Sequence, residues 1–465
     1  MGWLFGTDGV RGKAGGYPLD VPTVRRIGAA LVRALQHDHD AVRFLAGRDT
    51  RESGPWIVRE LAFGIESQGG TLTSAGVVPT PAIAYLTPRM GYTAGVVISA
   101  SHNPFEDNGI KVFSGAGQKF TEAIEERIEA VLADASWSPD GTGRFDPIGA
   151  SSVPGVADGV SRTVEDVDYG SEYLSLLRRL LPGGAFGKGT RIAIDCANGA
   201  TTTVAPRLFR DLGYDVRWVG CEPDGRNINL ACGSTAPAAL VRAVLDERCR
   251  LGIAYDGDGD RAILVDAAGR IVNGDAVLLM CAKQMKAEGR LKGGAVVATV
   301  MSNVGLEIAL REAGIDLVRS AVGDKYVKEE MTRRGLSLGG EQSGHIIFSD
   351  YLLTGDGLAT SLNVLRTMAV TGRELDDLTS EITMYPQVLL NLRVSRKVDL
   401  RTVPEIAAAV SAVESRLAGH GRLLVRYSGT EPLLRVMLEG RDEDEIRRWG
   451  QEIVDVVKQH VRPAV

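Results

Sequence analysis

Short apolar runs alternate with amphipathic stretches along most of the chain. The runs at 94–98, 251–255 and 296–300 are bounded by small or polar residues, which is typical of buried parallel strands. Between such runs, apolar residues recur at helical spacing, for example from Val24 to Leu35. Strands and helices that alternate in this way predict right-handed crossovers and mostly parallel sheets.

The length suggests two to four domains, and the elements fall into four segments of α/β class, three mixed or parallel α/β segments and a smaller C-terminal α+β segment. Their expected bounds are 1–165, 166–270, 271–383 and 384–465. Within the first domain, Asn108-Gly109 indicates a turn, and a strand is expected near 76–78. The stretch at 138–162 is rich in Gly, Ser, Pro and Asp, so we expect it to be a loop or linker.

Composition narrows the class of protein without identifying it. The 465 residues are 44% apolar and 24% charged, and the net charge of -6 argues against non-specific nucleic-acid binding. The five cysteines are far apart and form no Cys-x-x-Cys pair, which indicates free thiols and not a disulfide frame or zinc site. No apolar run has membrane-spanning length, and the first residues lack the pattern of a signal peptide. We therefore expect a cytoplasmic protein that binds neither membranes nor nucleic acid.

The predicted strand at 94–98 leads into a run of small, polar and turn-forming residues. This run reads Ser99-Ala100-Ser101-His102-Asn103-Pro104. Open α/β sheets place reacting groups at the carboxyl ends of their strands, so a serine here is a candidate nucleophile. The alternative is a serine-rich turn without chemistry.

The predicted strand at 251–255 is followed by Asp256, Asp258 and Asp260 with glycines between them. Carboxylates this close repel one another unless a cation lies among them, and the glycines allow the backbone to curl so that they converge. Oxygen ligands select a hard cation, Mg²⁺ where phosphate is present. An EF-hand calcium loop is excluded because Arg261 and Ala267 stand at its glycine and glutamate positions. A solvated acidic turn is the open alternative.

Three further polar stretches carry candidate ligand contacts. Residues 339–345 combine two glycines, a carboxylate, a hydroxyl and an imidazole, which suits recognition of vicinal hydroxyls, although a plain polar hairpin would look the same. Residues 426–432, with Arg435 beyond them, offer arginine, hydroxyls and glycine backbone for a phosphate, or merely a turn. Near the N-terminus, Arg11 follows several glycines and is either a phosphate contact or a surface charge.

Together these features describe phosphoryl transfer on a phosphorylated sugar. In type and order they resemble the motifs of the α-D-phosphohexomutases. The resemblance extends from Phe5 to the last predicted helix and implies four domains around a central cleft. It also implies that Ser101, and not Ser99, carries the phosphate.

The resemblance further implies a role for each motif. The metal, Mg²⁺, is expected to be held by Ser101, Asp256, Asp258 and Asp260. Substrate contacts are expected from Arg261, Glu341, Ser343, His345, Arg426, Ser428, Gly429, Thr430 and Arg435. Catalytic support near the serine is expected from Lys111, Arg11 and His102. A sugar 1,6-bisphosphate is the implied activator, which phosphorylates Ser101.

Within the family, Gln342 and Gly429 favour the branch that acts on glucosamine phosphates. The expected reaction interconverts glucosamine 6-phosphate and glucosamine 1-phosphate through a phosphoserine and a 1,6-bisphosphate. One alternative is a phosphomannomutase/phosphoglucomutase of the same fold, and a more distant one is an inactive sugar-phosphate-binding protein. The oligomeric state is left open.

Overall fold

The computed structural model describes residues 4–6, 8–36, 38–39, 41–134, 164–181, 189–395, 397–417, 419–427 and 433–461. The predicted linker at 138–162 lies outside these residues. The chain divides into two compact units, one made of Met1–Val300 and Val318–Thr379, and one made of Met301–Leu317 and Ser380–Val465. In the described parts of both units, no helix combines the length and the apolar character needed to cross a membrane.

The first sheet of the larger unit has the strand order β1-β5-β4-β2-β3. Strands β2, β3 and β4 are parallel, whereas β5 and β1 are antiparallel additions at one edge. Its elements are β1 (Val10–Lys13), α1 (Val21–Gln36), β2 (Arg43–Arg48), α2 (Gly54–Ser67), β3 (Thr71–Val77), α3 (Thr80–Arg89), β4 (Ala94–Ile98), β5 (Asp107–Ser114) and α4 (Glu122–Ala133).

The predicted turn at Asn108-Gly109 is wrong, because both residues lie inside β5. The chain reverses before them, and β5 pairs with β4 on one side and β1 on the other. Gly109 lies opposite Arg11, and the Asn108 side chain donates to Ser53 Oγ at 2.8 Å. Long-range strand pairing and a buried side-chain partner therefore override a local turn signal.

Two other predictions for this sheet are incomplete. Strand β3 is longer than the expected 76–78 because its polar first half, from Thr71, still pairs with β2. Helix α3 is absent from the sequence-based prediction. It begins next to Pro79 and contains Pro81 and Pro88, and prolines at a helix start are favourable although they usually signal a break.

The second sheet of the larger unit has the order β10-β9-β8-β6-β7, with β6, β7 and β8 parallel. Every residue of β8 is buried, as its continuous apolar run predicts. Its elements, preceded by α5 (Gly170–Leu177), are β6 (Arg191–Asp195), α6 (Ala205–Asp211), β7 (Asp215–Val219), α7 (Ala238–Asp246), β8 (Leu251–Tyr255), β9 (Ala262–Asp266) and β10 (Ile271–Val272).

A third sheet has the order β12-β11-β13-β14. Strands β11 and β13 are parallel, and β13 and β14 form an antiparallel hairpin in which Gly340 lies opposite Ile346. The elements of this region are α8 (Gly274–Ala287), β11 (Ala295–Thr299), α9 (Val304–Glu312), β12 (Asp316–Ser320), α10 (Asp324–Arg334), β13 (Leu338–Gly340), β14 (Ile346–Phe348), α11 (Gly357–Thr371) and α12 (Leu375–Thr379).

The smaller unit contains an antiparallel sheet of order β15-β17-β16 and helix α9. Buried Glu439 accepts from the Val304 backbone and from Arg422, both at 3.0 Å, which ties the start of α9 to this sheet. The C-terminal elements are β15 (Gln387–Arg393), α13 (Pro404–Leu417), β16 (Arg422–Tyr427), β17 (Leu433–Glu439) and α14 (Glu443–His460). Three mixed α/β sheets and a C-terminal α+β sheet confirm the predicted fold class.

The crossing of α1 and α2 generates a stability prediction. A methyl group at Gly64 would collide with the backbone of Arg25 and Ala29 on α1. We expect Gly64→Ala to destabilise the protein by about 1–3 kcal/mol, because the two helices would have to separate. The midpoint of thermal unfolding, followed by calorimetry, measures this loss.

Gly16→Ala is the matched control, since its nearest neighbour, the Lys13 carbonyl oxygen, lies at an ordinary contact distance of 3.6 Å. Equal midpoints for Gly64→Ala, Gly16→Ala and the unaltered chain would contradict the close helix crossing.

Candidate active site

Ser101 lies just beyond β4, in a loop whose backbone is sharply turned. Its φ of 53° is in the left-handed region, which is uncommon for a residue other than glycine. The Ser101 N–H donates to Ser99 Oγ at 2.9 Å, and Ser99 Oγ donates to Asp49 Oδ2 at 2.5 Å. Ser101 is only 1% exposed. The loop is therefore a serine-rich turn, but a buried one whose backbone is held in an uncommon conformation.

Arg51 binds the backbone of the same loop. Its side chain is fully buried, and its Nε donates to Asp49 Oδ2 at 2.9 Å. Its Nη2 donates to the carbonyl oxygens of Ser101, at 3.0 Å, and Asn103, at 2.9 Å, and its Nη1 donates to that of Pro104. A buried guanidinium is tolerated only when its donors are satisfied, and here the serine loop supplies three acceptors.

The three aspartates after β8 converge on one another. Asp256, Asp258 and Asp260 are at most 4% exposed, and one carboxylate oxygen of each lies within 4.8 Å of the other two. Ser101 Oγ donates to Asp256 Oδ2 at 2.6 Å, and Thr80 Oγ1, at the start of α3, donates to Asp258 Oδ2 at 2.6 Å. Burial of all three carboxylates excludes the solvated acidic turn.

These carboxylates suit a divalent cation. Asp258 Oδ1 and Asp260 Oδ1 are buried and have no hydrogen-bond partner among the described residues. Burial, followed by repulsion from Asp260 and Asp258, raises the pKa of Asp256 well above its usual value. A cation bound by all three would supply the missing partners and relieve the repulsion. Oxygen-only donors match a hard ion.

Lys111, on β5, projects among the carboxylates. Its Nζ lies 2.8 Å from Asp258 Oδ2, 3.0 Å from Asp8 Oδ2 and 3.9 Å from Asp260 Oδ2. Burial alone would lower its pKa, but Asp258, Asp8 and Asp260 together hold the pKa of Lys111 well above its usual value. The amine is therefore a fixed positive charge beside the three aspartates.

A second, half-buried lysine links Asp8 to a carboxylate of the third sheet's region. Lys119 pairs with Asp8 and, at 2.6 Å, with Asp324 Oδ2 at the start of α10. Asp324 Oδ2 lies 3.8 Å from His345 Nε2, and His345 Nδ1 lies 3.5 Å from Asp260 Oδ2. Because Nε2 also accepts from the Gly355 N–H at 3.0 Å, the ring proton is on Nδ1, facing Asp260.

His102, Arg11 and Arg261 lie at the mouth of the site. His102 Nδ1 is 3.4 Å from both Ser101 Oγ and Arg261 Nη1. Burial, followed by the charges of Arg261 and Arg11, lowers the pKa of His102. Arg11 pairs with Asp8, so it is more than a free surface charge. These three residues line a cavity of about 380 Å³ together with Asp8, Lys119, Asp260, Asp324, Glu341 and His345.

The stretch at 339–345 is indeed a hairpin, and two of its residues, Glu341 and His345, line the cavity. Glu341 lines the cavity and its Oε1 accepts from the Gly323 N–H at 3.1 Å. Ser343 is exposed, and Gln342 Nε2 donates to Asp275 Oδ2 at 3.3 Å. The segment is therefore a hairpin that borders the cavity, and its contacts to a ligand stay a prediction.

In the smaller unit, Arg426 on β16 lies directly opposite Arg435 on β17. Residues opposite each other in an antiparallel pair share a face of the sheet, and like charges there repel. The other predicted phosphate contacts, Ser428, Gly429 and Thr430, lie outside the described residues.

Sequence reasoning missed the groups that hold the site together. Asp49 and Arg51 follow the carboxyl end of β2, so the strand-end argument applied to Ser101 could have found them. Asp8, Lys119 and Asp324 carry no local signal, because their partners are distant in sequence. Thr80 was missed because α3 was missed.

Models of one protein family match the chain in four places. The family is phosphoglucomutase/phosphomannomutase. The models of its α/β/α domains I, II and III match residues 2–138, 183–269 and 273–385, and the model of its C-terminal domain matches residues 389–456. The finer boundaries at 165, 270 and 383 stay a prediction.

Whole-length relatives agree with these matches. A phosphoglucosamine mutase of Syntrophotalea carbinolica is 46% identical over 98% of both chains, and one of Solibacter usitatus is 46% identical over 98% of this chain and 99% of its own. A crystal structure of a phosphoglucomutase/phosphomannomutase family protein from Burkholderia thailandensis has the same fold, with a TM-score of 0.76, 22% identity and coverage of 98% and 97%. The chain thus belongs to the α-D-phosphohexomutases, where it groups with the phosphoglucosamine mutases.

Proposed function

We propose that the chain interconverts glucosamine 6-phosphate and glucosamine 1-phosphate, with Ser101 as the phosphoryl carrier. The observation that carries this proposal is the 2.6 Å contact between Ser101 Oγ and Asp256 in a buried acidic site. The names of relatives that align over nearly the whole chain support the choice of sugar. Such an activity makes the chain an isomerase that works by phosphoryl transfer.

The reaction is two phosphoryl transfers in opposite directions. In the first, O1 of glucosamine 6-phosphate attacks phosphorus, the bond from phosphorus to Ser101 Oγ breaks, and the hydroxyl proton passes from O1 to Oγ. The resulting 1,6-bisphosphate reverses its orientation in the site. In the second, Ser101 Oγ attacks the phosphorus on O6, the bond from that phosphorus to O6 breaks, and the proton passes from Oγ to O6. Free glucosamine 1-phosphate and phosphorylated Ser101 result, so atoms and charge balance over the cycle.

Side chains near Ser101 suit these transfers. Lys111, Arg11 and Arg261 place positive charge where the phosphoryl group moves. His102, 3.4 Å from Ser101 Oγ, is the nearest imidazole for the proton that moves between oxygens. His345 faces Asp260, and we assign His345 to orienting that carboxylate. A contact between His345 and the sugar is secondary in this proposal.

Asp256, Asp258 and Asp260, with a phosphate oxygen on Ser101, would hold Mg²⁺. When bound, the ion neutralises charge on the moving phosphoryl group and on the serine oxygen that releases it. We further propose that a sugar 1,6-bisphosphate activates the protein by phosphorylating Ser101.

On the substrate side, we assign Glu341 and Ser343 to sugar hydroxyls. We assign Arg426, Ser428, Gly429, Thr430 and Arg435 to the phosphate that is not reacting. Glu341 supports this assignment by lining the cavity, and the facing pair Arg426 and Arg435 supports an anion site. We place the reaction in the cytoplasm, where the five free thiols would stay reduced.

Ser101→Ala is expected to abolish turnover, because alanine has no side-chain oxygen to carry the phosphoryl group next to Asp256. Intact mass spectrometry should show a removable phosphate of about 80 Da on the unaltered protein and none on the variant. Ser415→Ala, which removes an exposed hydroxyl on α13, is the control and should behave as the unaltered chain. Full mutase activity in the Ser101→Ala variant would contradict the mechanism.

Asp258→Asn is expected to raise the Mg²⁺ concentration needed for half-maximal rate by at least about 10- to 100-fold. Mutating a group that only hydrogen-bonds to a metal ligand typically lowers metal affinity by this factor, and mutating a ligand itself should lower the affinity at least as much. A magnesium titration of the rate measures this. Asp215→Asn, at an exposed ion pair with Arg191, is the control. An unchanged titration curve for Asp258→Asn would remove Asp258 from the metal site.

Among 6-phosphates of glucosamine, glucose and mannose, we expect kcat/KM to be highest for glucosamine by at least about 10-fold. A site with a partner for the amino group leaves that partner unpaired when the group is missing. Parallel assays with Mg²⁺ present and chelated measure the preference. A higher value for mannose or glucose would favour the phosphomannomutase/phosphoglucomutase alternative.

A further inference from the structure

The backbone of the serine loop is held from two domains at once. Asn229 belongs to the loop between β7 and α7, and its Nδ2 donates to the carbonyl oxygens of Ser101, at 2.9 Å, and Asn103, at 3.0 Å. These are the two carbonyls that also accept from Arg51 Nη2. Both N–H groups of the Asn229 side-chain amide therefore donate to the loop that carries the reacting hydroxyl.

The loop needs such support because its shape is unfavourable by itself. The left-handed region is sterically unfavourable for a serine, and such conformations persist only where surrounding contacts enforce them. Gly257, inside the metal-binding loop, also packs against the Ser101 carbonyl so closely that a side chain there would collide with it. Contacts from the second sheet thus converge on the backbone of Ser101.

Asn229 is well suited to this contact. Its own φ is 59°, a left-handed conformation that asparagine tolerates better than most residues, and its N–H donates to the Ala197 carbonyl at 2.9 Å. It is half-buried, so a change there does not open a hydrophobic core. Arg51, in contrast, is fully buried and would report on folding as much as on the site.

The direct contact between the two domains at the reacting atom changes during the reaction. Ser101 Oγ donates its hydrogen to Asp256, and a phosphorylated Oγ has no hydrogen to donate. The contacts of Asn229 go to main-chain carbonyls, which phosphorylation leaves unchanged. They can therefore hold the loop in both forms of the protein.

We propose that Asn229 is a positioning residue for phosphoryl transfer. By holding the Ser101 and Asn103 carbonyls, it fixes the serine oxygen relative to Asp256, Asp258 and Asp260 in the free and the phosphorylated protein. This inference rests on the proposed phosphoserine mechanism. Misplacement of a reacting group by about 1 Å can cost about 100-fold in rate, so loss of this support should act on the chemical step.

Two variants remove the donors while keeping the backbone conformation allowed. Asn229→Gly tolerates the positive φ and has no side chain, and Asn229→Asp keeps the shape but offers only acceptors to the two carbonyls. The control is Arg226→Gln in the same loop. Arg226 forms an exposed ion pair with Glu52 at 2.7 Å, which joins the same two domains without touching the serine loop.

Three quantities decide the outcome: kcat and KM for glucosamine 6-phosphate, the rate at which glucose 1,6-bisphosphate phosphorylates dephosphorylated protein, and the thermal midpoint. We expect both Asn229 variants to lose about 10- to 100-fold in kcat and in phosphorylation rate, with KM changed less than about 3-fold. Thermal midpoints should stay close to that of Arg226→Gln, which should retain the rates of the unaltered protein.

Either of two results would overturn the inference. One is kcat and phosphorylation rates within 2-fold of the unaltered protein in both Asn229 variants. The other is an equal loss in Arg226→Gln, which would make the effect one of general domain contact. If the unaltered protein itself fails to interconvert the two phosphates, the proposed function fails, and that outcome is distinct from both.

Discussion

Three carboxylates buried within reach of one another are the constraint on which the rest of the larger unit depends. Their repulsion is offset in the protein by Lys111, whose own charge is stabilised by Asp8. Asp8 in turn pairs with Lys119, and Lys119 with Asp324. Opposite charges therefore alternate through contacts from three sheets. Each buried or half-buried charge lies next to a partner, as the cost of burying ions requires.

This arrangement also suits a site whose charge must change. A phosphoryl group on Ser101 adds a charge of about −1.5 to −2, and a bound divalent cation adds two positive charges. The two additions nearly cancel, so the surrounding lysines and aspartates can keep the same pairing in either state. Oδ1 of Asp258 and Oδ1 of Asp260 have no hydrogen-bond partner in the described part of the chain, so these oxygens are available to bind such a cation.

The sequence predicts the parts of the site that follow buried strands. Ser101 after β4 and the aspartates after β8 were found because a continuous apolar run followed by polar residues marks a strand end. Their closeness is expected only from the combination of motifs and the family resemblance, because no local pattern joins Ser101 to Asp256, 155 residues away. The same holds for Asn229, whose partners lie 128 and 126 residues away. A turn signal at Asn108-Gly109 failed for the related reason that pairing with distant β1 decides the local conformation.

The contacts around Ser101 fall into two groups that the chemistry separates. In the proposed reaction, the hydroxyl of Ser101 and the aspartate oxygens without hydrogen-bond partners among the residues described would change partners as the phosphoryl group arrives and leaves. Arg51 and Asn229 bind main-chain carbonyls, and Thr80 binds Asp258 Oδ2 and not its orphaned Oδ1, so none of these need change. A loop held through its backbone can keep its serine oxygen in place while the group on that oxygen is exchanged. This division explains why residues without any reacting atom are so closely engaged with the site.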